Sequence, residues 1–308
     1  MNKHPLRPIT SAETEAYQRD GVAVLRGMID ADWIERLLAE WKNISTRIHD
    51  PRLIYQLPQS YVDRDPLLRE EMEQIFKEEE KNRRLYTEQV AGFFRCKYMS
   101  YWNPVFRSFL LESPAAEMVG RTIGAKAVRK YFDAMFVKEA ACKTVTYWHA
   151  DRPAWPVEGD QVPTMWMPLL PVRKGESCLE FVAGSHKLED GGWPNTYNAK
   201  KVGKPAGWPE VPDYEKRRSD PSINILSFDM EPGDALIIHS RTHHGGGPNL
   251  HPTQPRIALS TRWLGDGLTW KPRPECINIP GMPMGEMVPG APVANDEVFP
   301  IVWRREAA

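Results

Sequence analysis

Nowhere in the 308-residue chain is there an uninterrupted apolar run of about 18 residues, the length a helical membrane span needs. The opening stretch MNKHPLRPIT also lacks the apolar segment of a secretory signal. Both absences point to a soluble, cytoplasmic protein. Neither sign of charge is in surplus: 40 Lys and Arg stand against 41 Asp and Glu, so nothing pulls the chain as a whole towards nucleic acid or an anionic membrane. A small-molecule partner suits this balance better than a polymer. The 4 cysteines, Cys96, Cys142, Cys178 and Cys276, are widely spaced with no CxxC pair, which argues against a zinc ribbon or a disulfide framework and for buried, reduced thiols. No internal repeat is visible, and the sequence carries no sign of oligomeric state.

With 41% apolar residues, a chain of this length can bury a substantial core, and residues 1–308 read as one compact unit. Thr10 to about His49 reads helix, strand, helix. A Ser/Thr cap signal precedes apolar positions at helical spacing, GVAVLRG alternates like a strand, and Asp30 or Asp32 caps a helix with Trp33, Ile34, Leu37, Leu38 and Trp41 on one face. Residues 65–93, dense in Glu, Lys and Arg with spaced apolar residues, read as a solvated helix over the core. FLLESPAAEMVGRTIG continues the helical part to about residue 128.

From about 129 to 268 the pattern turns to β: KYFDAMFVK, KTVTYWHAD, TMWMPLLPV, SCLEFVAGS, DALIIHSRT and RIALSTRWL. Residues 187–222 and 271–300, rich in Gly and Pro, read as long loops of the kind that serve as lids or as plain surface excursions.

His149 and Asp151, in YWHAD, are two residues apart, so on an extended strand both leave by one face and can reach one cation. A third ligand is sought in DALIIHSRTHHGGGPN. If the strand runs on, His244 shares a face with Leu236, Ile238, Ser240 and Thr242, while His243 goes with His239; a bulge would exchange their roles. If PRIALSTRW returns antiparallel after the glycine run, with a register centred near Leu250, Arg256 falls opposite His244. Arg262 shares its face and is a rival for the same part. Two histidines and a carboxylate on one side of a metal, with open positions opposite, form the facial triad of non-haem Fe(II) oxygenases, and an arginine beside it can fork onto a dicarboxylate.

The whole pattern resembles the phytanoyl-CoA dioxygenase family of Fe(II)/2-oxoglutarate oxygenases. EAYQRDGVAVLRGMID is similar to the family's opening, YWHAD to its first metal motif, MWMPLLPVRKGESCLEFVAGSHK to its tryptophan strand and Gly-Ser-His turn, and HSRTHHGGGPN with PRIALSTRW to its second metal motif and arginine. The resemblance implies a mainly β double-stranded β-helix of the jelly-roll or cupin type carrying N-terminal helices. His149, Asp151 and His244 would be the iron ligands, Arg256 would bind the distal carboxylate of 2-oxoglutarate, and Lys138 is a further carboxylate contact. Many relatives have Gln where this chain has Ala150, and some have a hydroxyl where it has Ala258, so Thr146 or Ser260 is expected to supply the missing donor. Halogenating relatives replace the metal carboxylate with a small residue, so Asp151 favours hydroxylation.

Trp148, Trp155 and Trp166 are read as core or as the wall of a substrate pocket, and Arg152 as pairing with a substrate anion or a surface carboxylate. His186, His239, His243 and His251 are read as locally bonded. The implied reaction consumes O2 and 2-oxoglutarate and releases succinate and CO2. Three other readings stay open: desaturation or ring formation at the same iron, a non-catalytic metal-containing barrel that binds a small ligand, and a zinc-activated water. The identity of the substrate is not legible.

Overall fold

The computed structural model describes residues 1–45, 92–188, 209–273, 276 and 287–306. The charged stretch expected to be helical over 65–93 lies outside these residues apart from its end, and so do parts of both long loops.

Helix α1 (Ser11–Asp20) starts from a capping box: the Thr10 hydroxyl accepts from Glu13 N–H at 3.2 Å while the Glu13 carboxylate accepts from Thr10 N–H at 2.8 Å. It stops at Gly21, at φ 80°, where no side chain would fit, because a Cβ there would lie 2.3 Å from Thr242 Oγ1. Strand β1 (Val22–Leu25) follows at once. Of the two aspartates expected to open α2 (Ala31–Ser45), Asp30 is the one that accepts from Trp33 N–H, at 3.1 Å. The helix buries Trp33, Ile34, Leu37, Trp41 and Ile44.

After β2 (Phe93–Lys97) and the short α3 (Met99–Trp102), Asn103 caps α4 (Pro104–Glu112), with Pro104 in the first turn, where a missing N–H costs nothing. Helix α5 (Ala115–Ile123) completes the helical layer. Its core joins Trp33, Leu37, Phe106, Phe109 and Met118 to one face of a sheet through Met135, Leu259 and Trp263.

That sheet has the order β1, β9 (Ala235–Ile238), β6 (Thr164–Pro168), β11 (Arg256–Leu264), β3 (Ala127–Lys138), β13 (Ile301–Arg304), and β2 also pairs with β3. A smaller sheet runs β4 (Thr146–His149), β10 (His244–Gly246), β7 (Leu179–Val182), β8 (Ile225–Ser227), and β5 (Val157–Glu158) pairs with β12 (Thr269–Trp270). The two main sheets form the double-stranded β-helix, with Trp166, Phe181, Leu236, Ile238 and Ala258 packed between them.

The β part is wider than the expected span of about 129–268. Strands β1 and β2, from the expected helical part, and β13, from beyond it, all join the larger sheet. Nor are the described ends of the long loops loose. Val211 and Tyr214 lie on Trp148 and Val182, and Val293, Val298 and Phe299 are buried with Tyr131 and Trp270. Among the described residues no helix is long and apolar enough to cross a membrane. Cys96, Cys142 and Cys178 are buried and Cys276 is half-buried, and no disulfide forms among the described residues.

Candidate active site

The chain does not run as one strand from Leu236 to His244. Strand β9 ends at Ile238, a turn closed by Thr242 N–H on the His239 carbonyl intervenes, and His244 opens β10 in the other sheet. This corrects the alternation argument, although the histidine it selected is the one at the site. His244 is the register partner of His149, with ring centroids 4.3 Å apart. Asp151 follows β4 by two residues, its Oδ1 3.8 Å from His149 Nε2. One ligand atom from each of His149, Asp151 and His244 lies within 4.8 Å of the others.

The rings are oriented from behind. His149 Nδ1 lies 2.7 Å from the Tyr147 carbonyl and His244 Nδ1 2.9 Å from the Thr242 carbonyl. A ring nitrogen facing a carbonyl carries the hydrogen and donates it, which leaves each Nε2 lone pair for the shared space. Burial, and then the neighbouring His244, holds the His149 pKa down to about 4, so the ring is neutral at pH 7, the form a metal requires. Burial works to raise the Asp151 pKa, but His244, Arg262, His149 and the hydrogen bond from Thr164 outweigh it, and the carboxyl stays ionised below its ordinary value. Thr164 Oγ1 donates to Asp151 Oδ2 at 2.8 Å, on the side away from His149. Two imidazoles oriented by backbone carbonyls and one anchored carboxylate, brought together within 4.8 Å, suit a divalent ion of the iron type.

Arg256 does not pair with His244, as the guessed hairpin register would have it. Strand β11 is a central strand of the larger sheet, and Arg256 stands opposite Lys138. Both side chains are buried on the inner face, at 4% and 0% exposure, and no carboxylate of a described residue pairs with either. Arg256 reaches Ser177 Oγ and the Phe136 carbonyl at long range, 3.4 Å each, above the Trp166 ring. Lys138 Nζ donates to the carbonyls of Gly246, at 3.4 Å, and Gly247, at 2.5 Å. Burial, and then Arg256, pushes the Lys138 pKa down to about 7, and burial lowers that of Arg256 to about 10. Two adjacent buried basic side chains with no carboxylate partner among the described residues have the chemistry to receive an anion.

The remaining expected residues divide. Thr146 stands opposite Gly246, beside the Lys138 contact, and Ser260 is buried on the inner face of β11 between Arg256 and Arg262. Trp166 lies under Arg256, its ring centroid 5.9 Å from the guanidinium. Trp155 packs edge-on to Tyr131 and Phe132, each at 6.0 Å, in an aromatic cluster beside Arg262. Trp148 and Arg152 each take the structural one of their two readings, outside the substrate site. Trp148 alternates with His149, so it faces away from the site, packing on Tyr214 and donating from Nε1 to Glu215. Arg152 is in contact with Glu158, which also draws Lys271, so the ion-pair reading describes it.

His186, His243 and His251 are locally bonded, to the Gln18 carbonyl, the Tyr214 hydroxyl and the backbone of Gln254, and His239 Nδ1 accepts from Arg241 N–H. Sequence reasoning missed two residues. Thr164 was findable, since it shares strand parity with Trp166. Ser177 was not, because it meets Arg256 from a left-handed backbone at φ 79° that nothing in KGESCLEF announces.

A double-stranded β-helix that brings two imidazoles and a carboxylate together, with buried basic side chains on its inner face, is the arrangement of a non-haem iron site. The chain belongs to the phytanoyl-CoA dioxygenase (PhyH) family, whose model matches residues 17–258. Over 101 residues it is 31% identical to 1-deoxypentalenic acid 11-beta-hydroxylase of Streptomyces arenae; that match spans 32% of this chain and 34% of the relative. Three solved structures share the fold at low identity. The carbocyclase SnoK from nogalamycin biosynthesis aligns over 98% of this chain and 100% of its own, with a TM-score of 0.63 and 15% identity. The epimerase SnoN, in complex with Fe3+, alpha ketoglutarate and nogalamycin RO, aligns over 95% and 98%, with a TM-score of 0.61 and 18% identity. EctD from S. alaskensis with bound Fe aligns over 94% and 91%, with a TM-score of 0.60 and 17% identity.

Proposed function

We propose that this protein is an Fe(II)- and 2-oxoglutarate-dependent dioxygenase that hydroxylates an unactivated C–H bond of a small molecule. The observation that carries this reading is the convergence of His149, His244 and Asp151, both rings fixed by backbone carbonyls, beside the buried pair Arg256 and Lys138. The hydroxylase activity named for the Streptomyces arenae relative and the intact metal carboxylate favour hydroxylation over the other outcomes.

His149 and His244 hold the ion through Nε2 and Asp151 through its carboxylate. The iron with its co-substrate supplies, when bound, an oxidant made from O2, with succinate and CO2 as products. The chain does the rest. Arg256 and Lys138 hold the far carboxylate of 2-oxoglutarate, with Thr146, Ser177 and Ser260 as neighbouring donors. Trp166, Phe181 and Ala258 exclude water from the buried end of the site. Thr164 fixes the direction of Asp151, so that its free oxygen faces the histidines.

The test is anaerobic addition of Fe(II) and 2-oxoglutarate, followed by O2 with succinate as the readout. A weak visible charge-transfer band and O2-dependent succinate are expected in the wild type, and neither in His149→Ala or His244→Ala. Succinate formation by those variants at wild-type rates would refute the assignment.

A further inference from the structure

Strand β11 carries two arginines on its inner face. Arg256 and Arg262 are six residues apart, about 20 Å along a strand that rises about 3.3–3.4 Å per residue. Arg256 is accounted for by the co-substrate, but Arg262 is not. It is 7% exposed, packed against the rings of Phe132 at 5.0 Å and Phe136 at 5.6 Å. Its Nη1 donates to the Ser260 carbonyl at 3.0 Å, and its Nε is buried without a partner. Among the described residues no carboxylate pairs with it directly.

Two acids act on Arg262 from further away, and neither can serve as its counter-ion. Asp133 is turned to the helical side of the sheet, where Ser100 donates to it from backbone and hydroxyl and Lys130 supplies the matching cation. Asp151 is nearer the site: its anchor Thr164 is the cross-strand partner of Arg262. Once Asp151 binds a divalent cation, its charge is taken up there, and with the co-substrate bound the metal centre is close to neutral. Arg262 is then left as a buried cation with no counter-ion of its own among the described residues, a costly arrangement unless an anion joins it.

We propose that Arg262 is the specificity-determining residue of the substrate pocket, receiving a carboxylate on a mostly apolar substrate. The proposal rests on the oxygenase reading above. The class of ligand follows from the surroundings: one guanidinium offers a two-pronged match to a singly charged, planar acid. The walls beyond it are aromatic, with Phe132 packed on Trp155 and Tyr98. A single fork among rings suits a monocarboxylate with a hydrocarbon skeleton better than a doubly charged phosphate. The Phe136 ring, beside Arg262, belongs to the residue whose carbonyl accepts from Arg256, and so stands between the two anion sites.

The experiment uses cyclohexanecarboxylate and octanoate, each beside its methyl ester, on wild type, Arg262→Gln and Arg262→Lys. Binding is followed twice, by perturbation of the anaerobic Fe(II)/2-oxoglutarate band and by calorimetry on the Zn(II)-loaded protein. At least one acid should bind the wild type in preference to its ester. Arg262→Gln should weaken that acid by about 30-fold or more, leave the ester unchanged and keep the 2-oxoglutarate band. Arg262→Lys should fall between and serves as the reading if the Gln variant does not fold. Equal binding of acid and ester, no acid bound at all, or a folded variant that loses the metal band would each overturn the proposal. If the wild type shows no band, the oxygenase reading fails, and the calorimetric comparison of acid with ester still decides the role of Arg262.

Discussion

His149 and His244 stand directly opposite each other on paired strands of the smaller sheet, rings 4.3 Å apart, each tied from behind to a backbone carbonyl two residues upstream. The site is therefore built into the backbone pairing before any ion arrives. Changing His149, His244 or Asp151 to Ala should abolish tight Fe(II) binding while thermal unfolding of the metal-free protein shifts little, since one side chain is lost and the strand ladder stays. Metal titration against unfolding curves checks this, and a wild-type metal affinity in all three variants would remove them as ligands.

Thr164 is expected to act through Asp151 alone. Thr164→Val keeps the shape but removes the donor, and should weaken Fe(II) binding by about 10- to 100-fold, the range for partners that orient a metal ligand. Thr164→Ser should restore most of it. Equal affinities in Thr164→Val and wild type would show that the hydrogen bond has no part in holding the carboxylate.

Lys138 gives the co-substrate site a pH dependence. In the free protein its pKa is pushed down to about 7 by burial and then by Arg256, so it is charged below that pH and loses its charge above it. A cation recruits an anion only while charged. The KM for 2-oxoglutarate should therefore rise as pH increases through about 7 to 8, whereas Lys138→Met should give a raised KM that is flat over the same range. Arg256 stays charged throughout, with a pKa of about 10. Arg256→Gln should raise the 2-oxoglutarate requirement by about 30-fold or more at every pH, as expected for truncating one side of a buried charged pair.

Trp148 should behave as a packing residue despite sitting next to His149 in sequence. Trp148→Ala is expected to cost about 3–5 kcal/mol of stability, the usual range for emptying a buried aromatic site. The KM for 2-oxoglutarate in the surviving folded fraction should stay within about twofold of wild type. Denaturant unfolding and steady-state kinetics separate the two effects, and a large change in KM with unchanged stability would return Trp148 to the site.

Sequence legibility followed physical range. The Thr10 capping box, the Trp33 stripe and the alternating strands are local, and each was readable because its cause lies within a few residues. The triad was readable as a set of types at suggestive spacing, but the reason offered for His244 was wrong: a continuous alternation cannot anticipate a turn at 239–242 that moves the chain from one sheet to the other. The Arg256 register failed for the same reason, since pairing with Lys138 and β6 is decided by the topology of the whole barrel. Trp148 falls outside the site once strand parity is carried one residue back from His149, since neighbours along a strand face opposite ways. Ser177 had no sequence signal at all.

Among the described residues strand β1 stands at one edge of the larger sheet, and its partner β9 has β6 on its other side. The N-terminal residues thus do more than decorate a barrel. Shortening the chain past Leu25 would turn β9 into an open edge, with Leu236 and Ile238 beside unpaired amides, a ready template for a second molecule. Such a truncation should be sticky even where its iron ligands are intact, so self-association is the property to watch when this protein is trimmed for crystallisation or fused at its amino end.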